Sequence, residues 1–478
     1  MLFNSISFFI FLPIVCLLYW WVPSRYVRWQ NLFVVGASYF FYGCWSYRML
    51  ALIAFTSLCS WLSGIVIEQI HERRLPVCLG KAIVGVNVSL NLLILGYFKY
   101  YNFFVDSLMA LFAQWGFSFH LSTVSVLLPV GISFYTFQAI GYSIDVYKMR
   151  VKATRDPIAF FAFVSFFPQL VAGPIERADH LLTQFCQPRR WDYAQAVAGV
   201  HQMLWGFFKK LLIADNCAPV VEDIFSNYAH YPASTLWMGA LLFTFQIYGD
   251  FSGYSDIAIG TAKLFGIQLR DNFRYPYFSE DIMAFWRRWH ISLNTWFIDY
   301  VYIPLGGSRC AWGHHLRNLF IVFLLSGLWH GANWTFVAWG FYHALLYVCL
   351  LSYRKWSNRV LIRPSWLSSG FTFVWVLLGW ILFRSSDVTS AWAYITHLFT
   401  SSWVALPKVS GVNNVYALLA LFFAGILFLV EGWNRQRSFG LEGLAACQWY
   451  VRYGCYALLL FGFYFFSNNA SGFIYFQF

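Results

Sequence analysis

Charged side chains are the scarcest class of residue in this sequence. Only 11% of its 478 residues are Asp, Glu, Lys or Arg, whereas a soluble domain carries roughly 25%. Hydrophobic residues make up 60% of the chain, and the mean hydropathy is +0.57. These values exclude an ordinary soluble domain and predict an all-α polytopic membrane protein, because a spanning helix needs about 20 mostly apolar residues. We expect spans in five apolar stretches and their flanks: Phe8–Val22, Leu50–Ile67, Phe371–Phe383, Leu418–Val430 and Tyr456–Phe466.

The sequence also lacks the motifs of several enzyme classes. It has no H-E-x-x-H, no Walker loop, no G-x-G-x-x-G and no G-x-S-x-G. These absences argue against a metalloprotease, a pump ATPase, a dinucleotide enzyme and a serine acyl-enzyme. The ten cysteines include no C-x-x-C pair, so we expect neither a disulfide framework nor a metal site.

The net charge of +12 comes from short basic segments. Such an excess normally marks cytoplasmic loops, and a share could also attract an anionic cytoplasmic substrate. Counting spans from these segments places the N-terminus and the C-terminal tail on the outer side. We expect one integral-membrane domain, residues 1–478, in contact with membrane lipids and without a nucleic-acid partner, ending in a tail at 467–478. The basic segments are Arg25/Arg28, Arg73/Arg74, Lys148–Arg155, Arg189/Arg190, Lys209/Lys210, Arg354–Arg363 and Arg435/Arg437.

The middle of the chain differs from the rest in polarity. Residues 175–310 are mixed, and we expect amphipathic or re-entrant helices there. Residues 318–353, by contrast, contain no Asp, Glu, Lys or Arg. As one straight helix they would run about 54 Å, against a hydrocarbon core of about 30 Å. The run must therefore break, and the natural place is GLWHGANW, which contains Gly327, Gly331 and Asn333.

Two histidines are candidates for chemistry. His330 lies inside the uncharged run, where an ionisable group is costly and marks function by default; a neutral histidine hydrogen-bonded between helices is the structural alternative. His290 lies in FWRRWHISLNTW, which on a continuous helix puts Arg287 one turn before it and Asn294 one turn after it. An interfacial helix with snorkelling arginines is the alternative there. A neutral imidazole suits a general base for a hydroxyl that attacks an activated acyl group.

Long segments of the chain carry a family resemblance. They resemble the signature segments of bacterial membrane-bound O-acyltransferases, in particular the alginate and peptidoglycan O-acetyltransferase-like branch, whose members also begin like MLFNSISFFIFLPIV. The likeness spans nearly the whole chain. Its segments are LLPVGISFYTFQ (127–138), FFPQLVAGPIER (166–177), DFSGYSDIAIG (250–260), FWRRWHISLNTW (285–296) and GLWHGANW (327–334).

This resemblance implies an acyltransferase of the cytoplasmic (inner) membrane, built as a ring of about 11–13 transmembrane and re-entrant helices around a central tunnel. His330 would be the central catalytic residue and His290 its polar partner. Acetyl-CoA in the cytoplasm would be the acyl donor, with no metal. The acetyl group would leave on the outer side, through a separate periplasmic or extracellular SGNH-type O-acetyltransferase, to a polysaccharide such as peptidoglycan or alginate.

Other residues near the histidines in sequence could serve this reaction. Side-chain or backbone N–H donors could stabilise the tetrahedral oxyanion. The polar residues of DFSGYSDIAIG could line the tunnel, orient a histidine, or form a structural hydrogen-bond cluster. The candidates for the tunnel or for substrate binding are Asn294, Trp289, Asp250, Tyr254, Asp256, Arg287 and Arg288.

The uncharged tail SNNASGFIYFQF places one phenol, Tyr475, among phenylalanines. His330 could deprotonate this phenol, whose free pKa is about 10, and the resulting acetyl-tyrosine could hand its acyl group onward. The tail resembles the tyrosine-bearing C-terminal motifs of this family and of its small partner peptides, which implies an acyl relay. The alternative is an aromatic belt that anchors the last span.

Two other functions fit parts of the pattern. A D-alanyl or other acyl transferase fed by an acyl carrier protein would share the segments. A polysaccharide or lipid transporter would also show many spans with central polar residues. Transporters often contain internal repeats, and we find none in this sequence.

Overall fold

The computed structural model of the chain describes residues 1–117, 122–124, 128–357, 365–407, 409, 412, 414–467 and 472–474. Every regular element within these ranges is helical, and no strand occurs in them. The α-helices are α1 (Ile6–Trp21), α2 (Val27–Gly43), α3 (Leu50–Glu72), α4 (Val77–Leu95), α5 (Tyr101–Gln114), α6 (Ile132–Tyr147), α7 (Pro157–Ser165), α8 (Phe167–Leu170), α9 (Thr183–Phe185), α10 (Tyr193–Phe207), α11 (Asp215–Ser226), α12 (Ala233–Leu264), α13 (Ile282–Trp286), α14 (Ile291–Phe297), α15 (Trp312–His330), α16 (Trp334–Ser357), α17 (Ser365–Arg384), α18 (Val388–Thr400), α19 (Val415–Trp433) and α20 (Trp449–Phe466).

Several of these helices can cross a membrane. The predicted spans Leu50–Ile67, Phe371–Phe383 and Leu418–Val430 each lie inside a helical stretch of sufficient length and hydropathy. α1 has 16 residues and covers about 24 Å, less than the hydrocarbon core of about 30 Å. The prediction of an all-α polytopic membrane protein is confirmed. The five stretches that meet the length and hydropathy of a span are Tyr47–Glu72, Val77–Gln114, Trp334–Ser357, Ser365–Arg384 and Val415–Trp433.

The chain packs as two compact units. The first comprises Met1–Ala196 with Ala262–Arg270, and the second comprises Val197–Thr261 with Asp271–Phe478. In the first unit α3 packs against α4 and α6. Ser143 Oγ there accepts a hydrogen bond from Asn87 Nδ2 at 2.8 Å and lies 2.7 Å from Ser63 Oγ. Such bonds satisfy polar groups that lipid cannot.

The second unit contains both candidate histidines, and its uncharged run breaks where the sequence predicts. α15 ends at His330 and α16 begins at Trp334. The two helices form a tightly packed antiparallel pair, joined by a short connection that begins with Gly331. The break within residues 318–353 is therefore confirmed.

Two glycines set the spacing of the α15–α16 pair. A Cβ on Gly327 would lie 2.2 Å from the carbonyl oxygen of Phe336, and one on Gly340 would lie 2.4 Å from that of Phe323. No side chain fits in either gap, so glycine lets the two main chains touch. This contact fixes α15, and with it the position of His330.

The stretch around His290 is not one helix, so the prediction of a continuous amphipathic helix there is wrong. α13 ends at Trp286 and α14 begins at Ile291. His290 between them has φ +45° and ψ +54°, in the left-handed region that L-residues rarely adopt. The one-turn spacing of Arg287 and Asn294 about His290 therefore does not hold.

The polar middle of the chain shows a second departure from expectation. Short helices and π-helical turns do occur there, but so does the 32-residue α12. Lys209 and Lys210 lie in the π-helical segment Phe208–Ala214 and are buried, with 3% and 6% exposure. Their interpretation as a cytoplasmic loop cluster is wrong, because both ammonium groups are held by buried carboxylates.

Candidate active site

The structure brings the two predicted histidines together. The ring centroids of His290 and His330 lie 6.2 Å apart. Both side chains are buried, with 1% and 3% exposure. His330 is the last residue of α15, whereas His290 stands at the N-terminus of α14. Two imidazoles that are 40 residues apart in the sequence therefore lie close together inside the second unit.

The strained backbone at His290 is held by its neighbours. Asn294 Nδ2 donates to the carbonyl oxygens of Trp286 and Trp289, each at 2.6 Å. The main-chain N–H of Ile291 donates to the carbonyl oxygen of Asn272 at 2.9 Å. These bonds tie both sides of the turn and offset the cost of the left-handed conformation. The amide donors of Asn294, a candidate for the oxyanion, point to main-chain carbonyls.

A hydrogen bond to Asn272 defines the tautomer of His290. His290 Nδ1 lies 3.0 Å from Asn272 Oδ1. The same oxygen accepts from the main-chain N–H of Ser292 at 3.4 Å, and a main-chain N–H can only donate. The atom facing Nδ1 is therefore an acceptor, so Nδ1 carries the proton and Nε2 carries the lone pair. Among the described residues Nε2 has no hydrogen-bond partner, which leaves it available as a base.

Burial also keeps this imidazole neutral. His290 lies outside the five candidate spans, and loss of solvation lowers its pKa from 6.5 to about 3. The ring of Phe251 meets it edge-on at 4.7 Å. A histidine in such surroundings is an uncharged proton acceptor at neutral pH.

Aromatic rings enclose His330. Its ring lies 5.1 Å from that of Trp339 and 5.3 Å from that of Phe383, both close to perpendicular. Trp329, the preceding residue, also lies 5.6 Å from the His290 ring. A low-dielectric wall of this kind strengthens any electrostatic interaction inside it. The arrangement suits chemistry from which water is excluded.

The other predicted residues of FWRRWHISLNTW have surroundings different from those of the two imidazoles. Trp289 is buried at 1% exposure and packs on Trp380 at 4.8 Å. Arg287 is exposed and its Nε donates to the Met283 carbonyl at 3.3 Å. Arg288 donates weakly to a main-chain carbonyl at 3.4 Å. Trp289 is thus part of the buried core, whereas the guanidinium groups of both arginines donate to main-chain carbonyls.

The carboxylates of DFSGYSDIAIG pair with the two buried lysines. Asp256 lies 2.5 Å from Lys209 Nζ and accepts from Gln202 at 2.8 Å. Asp250 lies 2.7 Å from Lys210 Nζ. The hydrogen-bond partner of His290 is therefore Asn272 and not one of these carboxylates. A buried charge without such a partner would be costly.

A small polar cleft has Asn272 among its lining residues. Lys209 and Asp256 line it, together with Glu431, whose carboxylate accepts from Tyr248 at 2.9 Å. The cleft is therefore lined by charged and hydroxyl groups, and one of its lining residues, Asn272, is the hydrogen-bond partner of His290. Among the described residues no group of three or more His, Cys, Asp and Glu side chains is arranged to hold a metal ion.

The end of the chain returns to this site. Phe473 and Ile474 are each 2% exposed, and the N–H of Ile474 donates to Asp250 Oδ2 at 2.6 Å. The Phe473 ring packs on that of Tyr254 at 4.7 Å. Tyr475, the predicted acyl relay, lies outside the described residues.

Two buried imidazoles inside a multi-pass helical protein are typical of a membrane-embedded enzyme. The family model for membrane-bound O-acyltransferases matches residues 150–392, which include both histidines. The chain belongs to the membrane-bound O-acyltransferase family and is an O-acyltransferase. The resemblance stated from the motifs is confirmed.

Named relatives cover most of the chain. A probable alginate O-acetylase from Azotobacter vinelandii is 41% identical over 90% of this chain and 84% of its own length. A peptidoglycan O-acetyltransferase from Helicobacter pylori is 33% identical over 100% of this chain and 98% of its own length. A teichoic acid D-alanyltransferase from Bacillus subtilis is 29% identical over 53% of this chain and 68% of its own length.

Sequence reasoning missed Asn272 and the lysine pair. Asn272 stands in LRDNFRYPYF, which has neither a periodic pattern nor a motif that marks a histidine partner. Lys209 and Lys210 could have been found, because GFFKKLLIADN places two charges inside an otherwise apolar run. Charges in that setting are paired more often than they are solvated.

Proposed function

We propose that this O-acyltransferase moves an acetyl group from cytoplasmic acetyl-CoA across the inner membrane, for O-acetylation of a cell-envelope or secreted polysaccharide. Alginate and peptidoglycan, named for two relatives, are the acceptor types to test first. The observation that carries the proposal is the buried pair of His290 and His330, since an activated thioester needs a base and a water-poor site more than it needs a metal.

In this proposal a hydroxyl attacks the carbonyl carbon of the acetyl thioester. A C–O bond forms and the C–S bond breaks, while the hydroxyl proton passes to an imidazole and then to the departing thiolate of CoA. His330 is the base for the attack. His290, neutral and fixed by Asn272, is the second polar group, and its Nε2 can take part in the same proton transfer.

We further propose that Tyr475 receives the acetyl group as an aryl ester and passes it to a separate SGNH-type transferase outside the membrane. The burial of the two described residues just before it, Phe473 and Ile474, supports a tail that reaches the histidines. The ring of helices around a tunnel, with the tail entering from the outer side, belongs to the same proposal. The polar cleft that has Asn272 among its lining residues supports a passage to the site.

The deciding experiment is mass spectrometry on the purified protein after incubation with isotopically labelled acetyl-CoA. We expect one labelled acetyl group on the C-terminal peptide, absent from Tyr475→Phe and from His330→Ala. Transfer to a partner without that adduct would keep the acetyltransferase and remove the relay. Absence of any acetyl-CoA turnover would contradict the proposed donor.

A second candidate function is favoured by the D-alanyltransferase relative, which is similar to about half of the chain. In that case an acyl group on a carrier protein, not acetyl-CoA, would be the donor. Incubation with a labelled aminoacyl carrier protein distinguishes the two, because each donor should leave an adduct of its own mass. Transport of an unmodified glycan that required His330 would instead favour a transporter.

A further inference from the structure

The buried carboxylate of Asp250 does not serve the histidines directly, although it lies in a segment typical of the family. It is 2% exposed and lies 2.7 Å from Lys210 Nζ. Lys210 is shared with Asp215, whose carboxylate oxygen lies 2.8 Å from the same nitrogen. Lys210 thus bridges two buried carboxylates, and buried charges are stable only when they are paired or hydrogen-bonded.

The main chain of the C-terminal tail supplies one such hydrogen bond. The N–H of Ile474 lies 2.6 Å from Asp250 Oδ2, a short bond of the charge-assisted kind. The Ile474 side chain belongs to the buried core of the second unit. Gly472, two residues earlier, is exposed. The chain therefore enters the unit at Phe473 and is already bonded to a buried carboxylate one residue later.

Aromatic rings continue the contact from the tail to His290. Phe473 lies 4.7 Å from Tyr254 and 6.1 Å from Phe251. Phe251 in turn meets His290 at 4.7 Å. The ring of Phe251 thus lies between the tail residue Phe473 and His290. α12 supplies both this ring and the carboxylate of Asp250.

The lysine-bearing segment Phe208–Ala214 and the start of α11 hold the helix that leads into the tail. Asn216 Nδ2 donates to the carbonyl oxygen of Phe466, the last residue of α20, at 2.9 Å. Leu212 packs 3.0 Å from the position that a Cβ on Gly462 would occupy. Both ends of the segment between α20 and Ile474 are therefore tied to neighbouring parts of the second unit.

From these contacts we propose that Asp250, braced by Lys210 and Asp215, is a docking site for the C-terminal tail, which it binds through Ile474, and that this docking is needed for acetylation of the tail. The site recognises a main-chain N–H preceded by an aromatic side chain. Asp250 acts through the tail and is a positioning residue. The positioning role of Asp250 rests on the proposed acyl relay, whereas the hydrogen bond between Asp250 and the tail is independent of that relay.

The docking contact is tested independently of acyl transfer by carboxypeptidase digestion of the full-length protein in detergent. The products are identified by intact-protein mass spectrometry. In the wild type, trimming should stop with Phe473 and Ile474 still attached. In Asp250→Ala, which leaves the Lys210–Asp215 pair intact, both residues should be released at least about tenfold faster, because a hydrogen bond to a charged group is lost. Equal trimming of the two proteins would overturn the proposal.

Positioning is tested by two changes of one residue in the tail. Ile474→Pro removes the N–H that Asp250 accepts, whereas Ile474→Val keeps it and is the matched control. Both leave Tyr475 in place. With labelled acetyl-CoA, the C-terminal adduct should form about tenfold more slowly in Ile474→Pro and at the wild-type rate in Ile474→Val. Equal rates in all three proteins would overturn positioning.

The failure of this proposal can be told from failure of the proposed function. If the wild type shows no acetyl on its tail but Asp250→Ala is trimmed faster, the dock stands and the relay is wrong. If the wild type is acetylated and neither Asp250→Ala nor Ile474→Pro changes trimming or labelling, the relay stands and the dock is wrong.

Discussion

The imidazoles of His290 and His330 lie with their centroids 6.2 Å apart, although one is the last residue of α15 and the other sits in a left-handed turn. Both rings are buried among aromatic side chains. The predictions below follow from how these two residues are held.

Replacement of His330 by Ala should lower acetyl-CoA turnover by about 10²–10⁴-fold, the usual contribution of a general base. Turnover is measured as release of free CoA from acetyl-CoA by purified protein. His314→Ala is the matched control, because His314 lies on the same helix but is exposed. A His330→Ala enzyme that kept more than half of the wild-type rate would rule out a role for this residue as the base.

Asn272→Leu should slow turnover by about 10–100-fold, because it removes the acceptor that fixes the His290 tautomer. Asn272→Asp keeps an acceptor and adds a charge, so it should raise the pKa of His290. In the wild type that pKa is about 3, so His290 stays neutral above pH 5. In Asn272→Asp the acid limb of the rate profile should move to higher pH, and an unchanged profile would contradict this assignment.

Acid should also destabilise the wild-type fold through His290. Its folded pKa is lower than the unfolded value of 6.5, so the unfolded chain binds more protons between the two values. Stability is fully present above pH 6.5 and falls below it, by about 1.4 kcal/mol per pH unit for one group. Thermal unfolding in detergent at pH 7.5 and pH 5.0 should show a smaller loss in His290→Asn than in the wild type.

Gly327→Ala should destabilise the protein by about 1–3 kcal/mol, because the new methyl group would lie 2.2 Å from the Phe336 carbonyl oxygen. Gly313 is the matched control, since it lies on the same helix with nothing within 4 Å of its Cβ position. Gly313→Ala should leave the melting temperature unchanged or raise it slightly. Equal melting temperatures for the two variants would contradict the close helix contact.

Lys209→Met should cost about 3–5 kcal/mol, since it leaves the largely buried carboxylate of Asp256, 13% exposed, without its ammonium partner. The double variant Lys209→Met/Asp256→Asn removes both charges and should recover much of that stability. Thermal unfolding measures both. If the double variant were no more stable than the single one, the pair would not be the source of the loss.

The sequence predicted those features that depend on polarity summed along the chain. Low charge and apolar runs were sufficient for the helical membrane fold, and a 36-residue uncharged run, 318–353, had to break for reasons of length alone. Motif resemblance was sufficient for the family and for the choice of His330 and His290 as candidates. The roles of the individual candidate residues stay predictions.

What could not be predicted depends on contacts between distant residues. FWRRWHISLNTW has a helical pattern. Hydrogen bonds made by the Asn294 side chain and by the main-chain carbonyl of Asn272 nevertheless favour a left-handed residue at His290. No local propensity contains that information. Lys209 and Lys210 resemble a topogenic loop pair until their carboxylate partners on α12 are known. The role of a polar residue in a membrane protein can therefore be assigned only when its partners are known.

The paired glycines of α15 and α16 bear on how the enzyme would respond to its lipid surroundings. Because Gly327 and Gly340 each touch a carbonyl of the opposite helix, the two helices cannot slide past one another. If a thinner or thicker bilayer tilts α16, α15 should tilt with it as one body, at a modest cost for each ångström of mismatch. His330 would then move together with the hairpin and not relative to it.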